Sequence, residues 1–99
     1  MPLTAKDQVL EAIHAAGAGQ IGNYVNCSFS VNGEGTFTPN ETASPTIGEK
    51  GSSETVEELR IEVILPKYLT SSIVKILKDV HPYEEVAYYI NPIDNSNQE

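Results

Sequence analysis

The segment from His81 to Glu85, His-Pro-Tyr-Glu-Glu, carries the side chains best suited to chemistry in this chain. An imidazole and two carboxylates this close in sequence can bind a divalent cation or transfer a proton. A metal site needs three or four converging ligands, whereas successive residues on a strand point to opposite sides. A divalent-metal site made by His81 with Glu84 or Glu85 is therefore the alternative to a purely structural turn.

The structural interpretation of this turn makes a definite prediction about His81. Pro82 ends the preceding helix, so His81 lies at a helix C-terminus, where the helix dipole favours a protonated imidazole. Glu84 is close enough in sequence to pair with it. The pKa of His81 would then be raised in the folded protein, and stability would fall as pH rises through that value. Metal binding would need the neutral imidazole and would improve with rising pH.

Two further features could suggest chemistry, and each has a structural explanation. In the alternating pattern of this segment, Cys27 shares one face with the apolar residues Val25, Phe29 and Val31. The opposite face carries Tyr24, Asn26 and Ser28. We therefore predict a buried, structural thiol. The glycines of residues 17–22 follow a helix, whereas a phosphate-binding loop precedes one, so they predict a cap and a turn. No catalytic residue is predicted, and ligand-binding residues stay unassigned.

Length, charge and cysteine content limit the class of protein. The chain has 99 residues, enough for one domain spanning 1–99. Its net charge of −8 argues against nucleic-acid binding, because phosphates would be repelled. A single cysteine predicts a reducing compartment, the cytoplasm. The longest run of aliphatic residues is 63–65, too short for a membrane span.

Hydrophobic periodicity predicts two helices and several strands. The predicted elements are, in order, a helix over 4–16 capped by Thr4 and ended by Gly17, a strand over 24–31, a hairpin turn at Asn32-Gly33 returning through 36–38, a long surface loop over 39–54, a strand over 56–65, a helix over 69–80, a last strand over 86–90 and a polar tail over 91–99.

This order predicts an α+β fold with a ferredoxin-like antiparallel sheet and two helices. The first strand of that fold is missing or truncated, since only Met1, Pro2 and Leu3 precede the first helix. An open sheet edge is normally covered, so we expect either that the chain is a fragment or that a neighbouring chain covers the edge. The prediction is a homo-oligomer, a trimer.

Six sequence blocks together resemble one known domain. They are Gly17-Ala18-Gly19-Gln20-Ile21-Gly22-Asn23-Tyr24, Cys27-Ser28-Phe29, Gly35-Thr36-Phe37, Ile47-Gly48-Glu49, Glu58-Leu59-Arg60-Ile61-Glu62 and His81-Pro82-Tyr83-Glu84-Glu85. In this order they resemble the YqfO-type insert domain of the NGG-interacting-factor family, whose bacterial members are often called homologues of a GTP cyclohydrolase. The resemblance covers roughly residues 4–93.

The resemblance implies a fold similar to CutA and PII proteins, which form trimers through sheet edges. It also implies that the metal site of the full-length relatives belongs to a flanking core, so no catalytic residue is transferred here. The function expected is a non-enzymatic sensing or assembly module with a small-molecule ligand of unknown identity and no resident cofactor. The alternatives are a divalent-metal-binding protein using His81, Glu84 and Glu85, and a fragment of a metal-dependent GTP cyclohydrolase-like protein.

Overall fold

A computed structural model describes residues 1–43, 49–82 and 86–93 of the chain. It contains two helices, α1 (Lys6–Ala15) and α2 (Thr70–Val80), and two strands, β1 (Phe29–Phe37) and β2 (Glu54–Glu62). Short 3-10 turns, Leu3–Ala5 and Lys67–Leu69, lead into the two helices. The predicted α+β class is confirmed. No helix in the described ranges has the length and apolar character needed to cross a bilayer.

Both helices form where the helical periodicity places them, and α1 ends at the predicted glycine. Gly17 adopts φ +108°. Its N–H donates to the His14 carbonyl at 3.0 Å, and the Ala18 N–H donates to the Ile13 carbonyl at 3.1 Å. These two bonds satisfy carbonyls that the helix end would otherwise leave unpaired. The predicted Thr4 cap is wrong, because the 3-10 turn puts Ala5 at the N-cap position without a side-chain bond.

The hydrophobic core lies between the two helices and one face of β2 and its continuation. The buried members of the cluster are Leu10 and Ile13 of α1, Ala18, and Ile73 of α2. The half-buried residues packed against them are Ala16, Ile61, Val63, Leu65, Leu69 and Ile76. Ile61, Val63 and Leu65 therefore mark the core face, as the period of two over 56–65 predicts, although β2 itself ends at Glu62.

The predicted hairpin turn at Asn32-Gly33 is wrong. Both residues lie in the middle of β1, where Asn32 pairs with Leu59 and Gly33 with Glu58 in one antiparallel ladder. A two-residue turn there would leave β2 without a partner of its own length. The connection from β1 to β2 begins and ends instead at Thr38 and Ser53, whose hydroxyls form a 2.8 Å hydrogen bond.

The strand predicted over 24–31 begins only at Phe29. Ile21 and Tyr24 exchange two backbone hydrogen bonds of 2.9 Å, which close a tight turn before the strand. Asn26 then takes a left-handed conformation with φ +58°, which no strand residue adopts. The alternating apolar residues of this stretch consequently face solvent, since Val25 is 64% exposed and Phe29 62% exposed.

Met1 and Pro2 lie along the edge of β2 that faces away from β1. The Met1 carbonyl accepts the Leu59 N–H at 2.7 Å, and Pro2 forms an antiparallel bridge with Glu58. This is the position that the ferredoxin-like prediction assigns to the missing first strand. The strand predicted over 86–90 does not form within the described part of the chain: these residues have no regular secondary structure and pair with neither β1 nor β2. The sheet of the described residues therefore has two strands.

Candidate functional site

His81 lies directly after α2, in extended conformation, with its N–H donating to the Leu77 carbonyl at 3.0 Å. Pro82 follows and is exposed, so the proline stops the helix as predicted. The other predicted metal ligands, Glu84 and Glu85, lie outside the described residues, as does the predicted pairing of His81 with Glu84. Within the described ranges, no group of three His, Cys, Asp or Glu side chains could hold a metal ion.

The electrostatic environment of His81 is set by the start of the chain and by β2. Burial lowers the pKa of His81 below its ordinary value of 6.5, the Met1 ammonium lowers it further, and the Glu58 carboxylate raises it. Met1 N and Glu58 Oε2 form an ion pair at 2.8 Å. The predicted rise in pKa is therefore wrong, because desolvation of the ring disfavours the imidazolium more strongly than nearby charge supports it.

A lowered pKa gives a pH dependence opposite to the one that the helix dipole alone predicts. Between the folded pKa of His81 and its unfolded value near 6.5, the unfolded chain binds more protons. We therefore expect the free energy of unfolding to reach its full value above pH 6.5 and to fall as pH decreases. Urea unfolding from pH 5 to 8 measures this slope. His81→Gln should flatten it, whereas the control His14→Gln should retain it.

Because metal binding also improves as pH rises, the same series needs an arm with zinc. A zinc-dependent gain that disappears in His81→Gln would establish the metal interpretation of the turn. If zinc leaves the pH dependence of the free energy of unfolding unchanged and His81→Gln removes it, burial of the imidazole is its cause.

Gly19 joins three parts of the fold through its backbone. Its N–H donates to the Ile64 carbonyl at 2.6 Å, and its carbonyl accepts the Cys27 N–H at 2.8 Å. The His14 ring donates from Nε2 to the Cys27 carbonyl at 3.2 Å, which places the proton on that nitrogen. We call Gly19, Cys27, His14 and Ile64 the Gly19 node. The glycine spacing of 17–22 was the signal for it, although spacing alone could not show what the loop contacts.

Cys27 is half-buried and lies outside the hydrophobic core, which corrects the prediction of a buried thiol. Its Sγ approaches the Val25 carbonyl at 3.9 Å, a weak hydrogen bond. Cys27 lies outside the core for a local reason: the turn at 21–26 interrupts the regular alternation of a strand.

We expect Cys27→Ser to lower the free energy of unfolding by less than about 1 kcal/mol, because a half-buried hydroxyl can bond to solvent or to Val25. We also expect a maleimide to label Cys27 in the native protein. Chemical unfolding and labelling followed by mass spectrometry check the two expectations. A thiol that reacts only after unfolding would contradict the half-buried placement, and a Cys27→Ala variant controls for reaction elsewhere.

The sheet leaves an apolar row exposed. The row consists of Phe29 and Val31, which share one face of β1 and are 62% and 46% exposed. A shallow groove of about 220 Å³ lies in the middle of the ladder between β1 and β2. Leu3, Asn32, Gly33, Glu34, Glu57 and Glu58 line this groove. Its carboxylates disfavour anionic ligands, and exposed apolar rows of this kind are typical of protein contacts.

Relatives of this chain are known both from sequence and from structure. It is 46% identical over 98 residues to a GTP cyclohydrolase 1 type 2 homolog of Halalkalibacterium halodurans, covering 99% of this chain and 26% of that protein. It is 42% identical over 99 residues to the Bacillus subtilis protein of the same name, again 26% of its length. No family model matches the chain.

A solved structure is similar over nearly the same span. It is a Bacillus cereus protein related to NIF3, with a TM-score of 0.81 and 46% identity, covering 96% of this chain and 24% of that one. This chain is homologous to one segment of NIF3-related proteins. It spans about a quarter of the length of the relatives it matches. The relatives support the NGG-interacting-factor part of the predicted resemblance and not the CutA and PII part.

Proposed function

We propose that this chain acts as a non-catalytic assembly module of a larger NIF3-related protein. The observation that carries the proposal is the match of almost the whole chain to only 26% of each of two relatives. Both relatives are named GTP cyclohydrolase 1 type 2 homolog, and most of each relative lies outside the segment that matches this chain. Any activity of that kind would depend on residues beyond this chain.

Self-association is the second part of the proposal. The apolar row and the side of β1 that pairs with no strand of the described residues are surfaces that proteins normally cover. We propose that copies of the chain cover these surfaces for one another in groups of three, in the cytoplasm. In this proposal the assembled module also senses a small molecule.

The matched segment of the Bacillus subtilis relative offers a direct test. We expect a chimera carrying this chain in place of that segment to assemble to the same mass as the parent, by multi-angle light scattering. A parent with the segment deleted should assemble to fewer copies. A chimera that assembles like the deletion variant would contradict the proposal. The coding sequence on either side of this chain gives an independent check, because a continuous reading frame should encode the remaining parts.

A further inference from the structure

The start of the chain is held on β2 partly by its own charge. The Met1 ammonium donates to Glu58 Oε2 at 2.8 Å and to the Leu59 carbonyl at 3.1 Å. The Met1 carbonyl accepts the Leu59 N–H at 2.7 Å, so these two residues exchange a pair of hydrogen bonds, as antiparallel neighbours do. The Met1 side chain is 8% exposed and the Glu58 side chain 25% exposed, so the ion pair is partly shielded from solvent.

A glycine of β1 leaves the room that the Glu58 carboxylate occupies. Gly33 pairs with Glu58 in the ladder, and Gly35 lies two residues further along the same face of β1. A Cβ added at Gly35 would collide with the Glu58 carboxylate, whereas a Cβ at Gly33 would have no atom of the described residues within 4 Å. A side chain at position 35 would therefore displace the carboxylate from its place beside Met1.

These contacts distinguish an ammonium from a peptide group. An ammonium carries a positive charge and three hydrogens, so it can donate to the Glu58 carboxylate and to the Leu59 carbonyl together. An acylated or peptide nitrogen carries one hydrogen and no charge, so it would leave one of the two acceptors without this donor. Glu34 and Glu57, which line the groove beside Glu58, add to the negative potential that favours a cation here.

We propose that the Glu58 carboxylate and the Leu59 carbonyl form a binding site for a free N-terminal ammonium at Met1. The site goes beyond the proposed assembly function, because it acts within one chain. It holds the first residues on β2 when Met1 carries a free amine. It releases them when that amine is acylated or when the chain continues before Met1, since either change removes the charge. Cleavage of a longer chain directly before Met1 would create the ligand of this site.

Three forms of the chain test the site. One has a free amine at Met1, prepared by cleaving a fusion directly before it; one has Gly-Ser added before Met1; one is acetylated at Met1 by chemical synthesis. We expect the last two to melt about 4–8 °C below the first, the shift that losing one charge-assisted hydrogen bond gives a domain of this size. Hydrogen exchange should be about tenfold faster at the Leu59 amide, which bonds to Met1, and unchanged at the Arg60 amide, which faces β1. Equal exchange at Leu59 in the three forms would overturn the proposal, whatever their melting temperatures.

A pair of glycine substitutions tests the carboxylate without changing any charge. Gly35→Ala should lower the melting temperature of the free-amine form to that of the extended form, and adding Gly-Ser to this variant should then change little. Gly33→Ala is the matched control and should keep the full difference between the two forms. Glu58→Gln should behave like Gly35→Ala, because it removes the negative charge and keeps the size of the side chain. A full difference that persists in Glu58→Gln would show that the backbone bonds alone hold Met1, and would overturn the site.

Discussion

Gly19→Ala should be among the most destabilising single substitutions in this protein. Gly19 has φ +81°, and a Cβ there would lie 2.6 Å from the Cys27 carbonyl oxygen and 2.8 Å from His14 Cδ2. The left-handed conformation costs an alanine about 1–2 kcal/mol, and the collision adds about 1–3 kcal/mol. We expect the free energy of unfolding to fall by roughly 2–5 kcal/mol, measured by urea unfolding followed by circular dichroism.

Gly51→Ala is the matched control. Gly51 has the same φ of +81°, and no atom of the described residues lies within 4 Å of the place that an added Cβ would occupy. Gly51→Ala should lower the free energy of unfolding only by the cost of the left-handed conformation, about 1–2 kcal/mol. Equal losses at the two positions would show that backbone strain alone accounts for Gly19, and that the Gly19 node is not tightly packed.

Ile73→Ala should have an effect of similar size through the hydrophobic core. Ile73 is 7% exposed and is the buried contribution of α2 to the cluster with Leu10 and Ile13. Removing a buried isoleucine side chain to the β-carbon typically costs about 2–5 kcal/mol, since lost transfer energy and a residual cavity add together. Thermal and urea unfolding should both show the loss.

Ile93→Ala makes the same truncation at a residue that is 63% exposed, and it should change the stability of the monomer by less than about 0.5 kcal/mol. If Ile93→Ala proved as destabilising as Ile73→Ala, the assignment of the core to the helix interface would be wrong.

The sequence was informative for the two helices and for β2, whereas the alternation over 24–31 and 86–90 did not produce the predicted strands. The helices and the core face of β2 follow from spacing alone, and Gly17 ends α1 because only its left-handed conformation permits the two capping bonds. The turn predicted from Asn32-Gly33 is wrong because the local preference of this pair for a turn competes with the nine-residue pairing of β1 and β2. The pairing prevails since it satisfies more backbone N–H and C=O groups. Such competition is decided by pairing between distant residues.

The candidate site was harder to predict for a related reason. His81 was identified from its position after the helix, but its pKa depends on burial and on the approach of Met1 and Glu58, which are distant in sequence. Cys27 was misplaced because one left-handed residue, Asn26, interrupts the alternation on which its burial was inferred. The sequence identified the residues of interest, whereas their surroundings are a property of the tertiary structure.

Hydrogen bonds join the two ends of the connection between β1 and β2, so the pairing of the strands does not depend on the residues between those ends. Beside the Thr38 and Ser53 hydroxyl contact, the Gly51 N–H donates to the Pro39 carbonyl at 2.5 Å. In general, doubling the length of a connection whose two ends are joined in this way costs only about 0.6 kcal/mol of closure entropy. The segment between Pro39 and Gly51 can thus diverge in length and composition during evolution while the strand register stays fixed, and it is a natural place to graft a foreign peptide.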